Sequence, residues 1–284
     1  MPTHPTAVRS TPPPRDSSLG RLLKRVRLLN GPNLYRPRLI DLSRAAQTIS
    51  VEPIPIVTAL STASPSELAT YSEEFAALLS ALIGRAGSAS GLDAISMAMV
   101  REEVVLIYLL ARARRPKLVV ETGVARGVST YFLLHALRKN QVGRLTSFDL
   151  RPDAGELLLP GEREGWELVA LDRRRIRSEF RQHVSALTAP IDLFLHDSDH
   201  SYGHMLFEYE TVLPRISPGG LLASDDVDGC FAFLDFCARH RLAPRILVAP
   251  TKAFGVAEVS SRKGSNGGAR DGVNGGRPTG RRTA

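Results

Sequence analysis

From Pro116 onward, short apolar runs alternate with longer segments in which apolar residues recur at helical spacing. The apolar runs are LVVET, LTSFD, WELVAL, IDLFLHD, GLLASDD, RILVAP and AFGVAEV. The segments between them predict helices over Val128–Lys139, Arg173–Leu187, Tyr202–Leu213 and Gly229–His240. Nearly continuous apolar strands separated by helices imply a parallel sheet buried on both faces. Upstream, Ser64-Pro65-Ser66-Glu67 carries the capping chemistry of a helix start, and the pattern runs to about Leu82. A second helix is predicted over Leu92–Arg114, with apolar Ile95, Met99, Val104, Leu106, Leu109 and Leu110. The expected fold class is α/β, a mostly parallel seven-stranded sheet with helices on both faces. No internal repeat is present.

The flanks have a different texture. Residues 1–40 open with a Pro-, Ser-, Thr- and Arg-rich stretch and read as a disordered basic arm, within which LGRLLKRVRLLNGPN could form a short helix closing at Gly31-Pro32 and docking on the domain. Residues 261–284 hold repeated Gly, Asn and Arg and read as a flexible tail. The division expected is therefore arm 1–40, helical preamble 41–115, α/β domain 116–260 and tail 261–284.

Charge follows that division. The net charge is +8, yet residues 1–40 carry eight Arg/Lys against one Asp and residues 261–284 six against one, which leaves the body at −4. The basic character belongs to the ends, and no nucleic-acid partner is expected. No run approaches the roughly 18 apolar residues of a membrane span, and the N-terminus lacks the apolar core of a secretory signal; the cytoplasm is the expected compartment. Cys230 and Cys237 stand about 10 Å apart along a predicted helix, too far for a disulfide, and read as reduced thiols.

Chemistry concentrates where strands end. In VVETGVARGVST a strand runs into a Gly-x-x-x-Gly turn and a helix start, so Gly123 and Gly127 let backbone approach a ligand and the helix offers free N–H groups. This is not the Gly-x-Gly-x-x-Gly of dinucleotide dehydrogenases, and Glu121 just before it favours a cationic or zwitterionic ligand over a pyrophosphate. Asp149 ends the second strand, 22 residues beyond Gly127, where an acid is placed to grip ribose hydroxyls. The fourth strand empties into His196-Asp197-Ser198-Asp199-His200 and the fifth into Ser224-Asp225-Asp226.

On ETGVARG, the second-strand FD, IDLFLHDSDHSY and the LPRISPGG turn before LLASDDV, the chain resembles the class I S-adenosylmethionine-dependent methyltransferases. The resemblance covers about 110–260 and is nearest to the metal-dependent branch of sugar and catechol O-methyltransferases and the cephalosporin-hydroxylase-like group. It implies a Rossmann-like methyltransferase fold, with Glu121 and Gly123 flanking the methionine part of the cofactor, Gly127 and Ser129 lining its turn and Asp149 binding the ribose. Asp172 falls where relatives carry a Gly-Asp-Ser near the adenine; here the stretch reads Leu171-Asp172-Arg173, without the Gly and Ser. Strands four and five are neighbours in this fold, and acids converging at their ends repel one another unless a cation intervenes. Hard oxygen ligands suit Mg²⁺, with Mn²⁺ as substitute, and the resemblance implies Asp197, Asp225 and Asp226 as its ligands.

The expected activity is methylation of a small hydroxylated molecule, such as a natural-product sugar, from S-adenosylmethionine with Mg²⁺ assistance. Asp199, or else His200, is the expected general base. The alternatives are a non-catalytic, regulatory cofactor-binding domain, which would lose the strand-end acids, and another chemistry on the same fold. A redox-metal hydroxylase would need a facial triad of which no clear spacing is present. A zinc helix through His200-x-x-x-His204 lacks the His-Glu-x-x-His pattern, and His204 reads as a packing residue. Trp166 and Lys252 stand out by neither chemistry nor spacing. A homo-oligomer is compatible with the sequence.

Overall fold

The structure, a computed structural model, describes residues 48–86 and 101–260. The expected basic arm with its short helix, the Leu92 end of the second predicted helix and the expected tail lie outside the described residues.

The described elements are β1 (Thr48–Ser50), α1 (Pro53–Leu60), α2 (Pro65–Ala86), α3 (Arg101–Arg114), β2 (Leu118–Thr122), α4 (Val128–Asn140), β3 (Arg144–Asp149), β4 (Trp166–Ala170), α5 (Ile176–Ala186), β5 (Ile191–His196), α6 (Tyr202–Val212), β6 (Ile216–Ser224), α7 (Ala232–His240), β7 (Pro244–Val248) and β8 (Ala253–Glu258). The strands form one sheet in the order β1-β7-β8-β6-β5-β2-β3-β4. Only the β6–β8 and β7–β8 pairings are antiparallel. Seven strands coincide with the apolar runs, and the expected count is corrected to eight. The addition, β1, is a three-residue edge strand beside β7, too short to leave a periodic signal.

Period two sorts the strand residues between two layers. Val119, Leu145, Leu193, Leu195, Leu221 and Val256 pack with α1–α4, whereas Leu118, Val120, Phe148, Phe194, Leu222 and Ile246 pack with α5–α7. The preamble helices thus share a core with the sheet. Ser64 makes the expected capping box: its Oγ accepts from Glu67 N at 3.3 Å and its backbone N–H donates to Glu67 Oε2 at 2.7 Å. Arg114 ties the layers together, donating to the carbonyls of Leu60 and Gly219 and pairing with Glu258 at 3.1 Å.

Two helix starts move inward. The helix expected from Arg173 begins at Ile176, because the Asp172 carboxylate takes the Arg174 N–H and holds a turn there. The one expected from Gly229 begins at Ala232, so Cys230 sits before the helix with its Sγ 3.4 Å from Met205 Sδ, while Cys237 is buried; both are free thiols. Among the described residues, no helix is long and apolar enough to cross a membrane.

Candidate active site

The parallel strands β2, β3, β4, β5 and β6 all end on one edge of the sheet, and most of the residues read from the sequence gather there. Gly123 has φ +81°, and a Cβ on it would lie 1.8 Å from the Asp197 carbonyl oxygen. Only glycine lets the ends of β2 and β5 approach this closely, and Asp197 N–H closes the contact on Thr122 O at 2.8 Å. Gly127, at φ +91°, starts α4 and presses on Gly155, whose Cα a Cβ would meet at 2.8 Å. Asp149 shapes the turn between them. Its Oδ2 accepts the N–H groups of Val124 and Ala125 at 2.8 and 3.0 Å, and its Oδ1 accepts that of Arg151 at 2.8 Å. A carboxylate offers about four acceptor sites, so Asp149 retains capacity for roughly one further donor.

Glu121 is wholly buried inside β2. Ser129 Oγ donates to its Oε1 at 2.5 Å, and Thr130 Oγ1 and Ser147 Oγ donate to its Oε2 at 2.8 and 2.7 Å. Trp166 Nε1 in turn donates to Ser147 Oγ at 2.9 Å, so the tryptophan fixes the far end of this chain of bonds. Burial pushes the Glu121 carboxyl above the usual range, against the pull of the three hydroxyls. Asp172, at the end of the neighbouring β4, is exposed; the Arg174 N–H and the Arg175 side chain hold its pKa down.

The second group lies across Gly123. Asp225 N–H donates to His196 O at 2.9 Å, fixing the β6 end against the β5 end. One ligand atom each from Asp197, His200 and Asp225 lie within 4.8 Å of one another. His200 Nδ1 is 3.1 Å from Asp226 Oδ2 and its Nε2 3.6 Å from Asp197 Oδ1. Asp226 takes a left-handed φ of 50°, a conformation that aspartate tolerates better than most non-glycine residues. The Oδ1 atoms of Asp197 and Asp225 and Nε2 of His200 are buried without a hydrogen-bond partner. Burial raises the Asp197 carboxyl to about 7. Burial and the Asp197 charge push Asp225 well above the carboxylate range. Carboxyls crowded this closely resist ionisation unless positive charge offsets them, and this donor set fits a hard divalent ion.

Asp199 falls elsewhere. It is exposed, its Oδ1 accepts the Ser201 N–H at 2.9 Å, and that bond holds its pKa down. His200 precedes α6 and faces Asp197 and Asp226, whereas His204 Nε2 meets Glu208 Oε1 at 2.8 Å; the two histidines do not form the zinc-helix arrangement.

Three participants carried little sequence signal. Lys252, in the β7–β8 hairpin, places its Nζ against Asp225 Oδ2 and 3.5 Å from both Asp226 Oδ1 and Glu103 Oε2. Burial opposes its charge, but the three carboxylates outweigh burial and raise its pKa. It is the only lysine between Lys139 and Lys263 in an arginine-rich stretch, the one hint available. Glu103 reaches the site from the first turn of α3, wholly buried. Glu208 is a buried hub that binds His196 Nδ1 at 2.7 Å, Thr122 Oγ1 at 2.6 Å and Ser198 Oγ at 2.9 Å as well as His204. Although burial opposes it, contact with the two histidines holds the Glu208 carboxyl far below the usual range.

Residues 120–227 match the family model described as a methyltransferase domain. Among solved structures, the cofactor-bound protein Rv0187 from MTB superposes with a TM-score of 0.50 at 19% identity, covering 64% of this chain and 89% of its own. The O-methyltransferase from Bacillus cereus in complex with SAH gives 0.49 at 16% identity, covering 74% and 98%. TomG, the O-methyltransferase from Streptomyces achromogenes involved in tomaymycin synthesis, gives 0.48 at 16% identity, covering 74% and 96%. The likeness to Rv0187, at 19% identity, speaks for the fold alone. No curated protein matches the chain. Residues 120–227 are thus similar to a methyltransferase domain, and the sheet and its helices have the Rossmann-like fold of such domains.

Proposed function

We propose that the protein transfers the methyl group of S-adenosylmethionine to a hydroxyl oxygen of a small molecule, such as a natural-product sugar, with a divalent cation, Mg²⁺, at the ends of β5 and β6. The observation that carries this reading is the position of the orphaned Oδ1 atoms of Asp197 and Asp225. They belong to the ends of β5 and β6, and the β5 end packs its Asp197 backbone on Gly123 of the turn assigned to the cofactor, so methyl donor and hydroxyl would be held side by side.

S-adenosylmethionine supplies an electrophilic methyl on a sulfonium, and the cation, when bound, lowers the pKa of the acceptor hydroxyl. Asp197, Asp225 and Asp226 would hold the cation. Asp149 would take a ribose hydroxyl with its remaining acceptor capacity, while its three backbone bonds keep the turn rigid for Gly123 and Gly127. Glu121 and Ser129 act through the turn, since their side chains are bonded to each other. Asp172 would stand at the adenine end. For the proton, His200 is better placed than Asp199: its ring lies within the acidic group, between Asp197 and Asp226, whereas Asp199 is exposed and engaged in a turn.

Calorimetric titration with S-adenosylhomocysteine, with and without Mg²⁺, tests this reading. It predicts saturable binding that Asp149→Ala weakens at least about tenfold. Failure of wild type to bind at millimolar ligand would remove it.

A further inference from the structure

We propose that Lys252 is a permanent, tethered cation of this centre, which keeps the acidic group assembled without a divalent ion and weakens the ion's binding. The inference rests on the cation reading of the preceding section. Its ground is an arrangement of charges from four separate segments. Glu103 comes from α3, Asp197 from the β5 end, Asp225 and Asp226 from the β6 end, and Lys252 from the hairpin after β7. The Nζ touches one of these carboxylates and lies 3.5 Å from two more.

The hairpin is positioned to keep the ammonium there. Ala249 N–H donates to Lys252 O at 2.9 Å, closing the turn. Val227 N–H donates to Ala253 O at 3.0 Å, and Ala253 N–H to Asp228 Oδ1 at 2.8 Å, stitching the hairpin to the segment that carries Asp225 and Asp226. Lys252 meets Asp225 from the Oδ2 side and leaves Oδ1 bare. The amine therefore balances the Oδ2 side of Asp225 and leaves Asp197 Oδ1 and Asp225 Oδ1 without a hydrogen-bond partner, available to a second cation. Such an ion would bind within a few ångströms of a fixed positive charge, and at an effective dielectric of about 20 that repulsion is large enough to weaken binding at least tenfold.

The test uses the full chain, wild type, Lys252→Met and Lys252→Arg, with Mn²⁺ as the probe. Mn²⁺ affinity is read from the free-ion paramagnetic resonance signal, and melting temperature is read in EDTA and in excess Mn²⁺. Wild type should melt within a few degrees in both conditions. Lys252→Met should bind Mn²⁺ at least about tenfold more tightly, melt lower in EDTA and recover in Mn²⁺; Lys252→Arg should retain the wild-type affinity. Equal or weaker Mn²⁺ binding by Lys252→Met, with wild type binding measurably, would overturn the role of Lys252 and leave the cation site standing. Absence of Mn²⁺ binding in all three proteins would overturn both.

Discussion

Glu121→Ala is the substitution whose cost can be worked most directly from contacts. The wild-type carboxylate is wholly buried and accepts from three hydroxyls, with Trp166 bonded behind one of them. Removing it leaves Ser129, Thr130 and Ser147 without an acceptor, at about 1–3 kcal/mol for each group left unsatisfied. Hydroxyls rotate to recover part of this, and deleting a carboxylate that burial already disfavours offsets more. A net loss of about 2–4 kcal/mol is expected. Glu121→Gln keeps the volume and one acceptor oxygen and should lose only about 1 kcal/mol. Equilibrium urea unfolding reads both through the transition midpoint, with the slope unchanged. If Glu121→Ala lies within about 0.5 kcal/mol of wild type, the hydroxyl chain is not what holds the turn. Affinity for S-adenosylhomocysteine must be measured under conditions where the variant is folded, because loss of the turn and loss of a ligand contact would otherwise look the same.

Gly123→Ala places a Cβ on the Asp197 carbonyl at a positive φ, so thermal denaturation should show a loss of at least about 3 kcal/mol or no folded protein. Glu208 holds the His204 pKa above its ordinary value, outweighing burial. The stability from that pair is full below the unfolded histidine pKa and lost as pH rises through the folded one. The stability gap between wild type and His204→Gln should accordingly be larger at pH 5.5 than at pH 9 in urea unfolding, and an inverted gap would contradict the assignment. Asp199→Asn should leave Mn²⁺ affinity near wild type, because its carboxylate is tied to the Ser201 N–H outside the acidic group. Once an acceptor is in hand, His200→Asn should slow turnover by about 10²–10⁴-fold if it is the base.

The strands and the helices after Pro116 were legible because parallel strands buried on both faces leave continuous apolar runs, and the helices between them keep one apolar stripe. The edge strand Thr48–Ser50 was not, since three residues cannot show a period. The strand-end acids were equally visible: Asp197, Asp225 and Asp226 follow apolar runs, and neighbouring strands bring them together. What the sequence could not show was which acids share a partner. Asp199 is two residues from Asp197, yet the chain turns between them and sends it to the Ser201 N–H. Lys252 and Glu103 arrive from elements distant in sequence, and only the folded sheet edge brings them to Asp225. The Glu208 hub was hidden for the same reason, since its partners lie on β2, β5, the segment after β5 and α6.

The central claim is that a divalent cation and the methyl-donor cofactor occupy adjoining sites on either side of Gly123. Paramagnetic relaxation measures this directly. With S-adenosylhomocysteine bound, substoichiometric Mn²⁺ should broaden the proton resonances of the bound ligand, and Asp225→Asn should abolish the broadening while the ligand stays bound. If Mn²⁺ and the ligand both bind and the ligand resonances stay sharp, the two sites are not adjoining and the account is wrong.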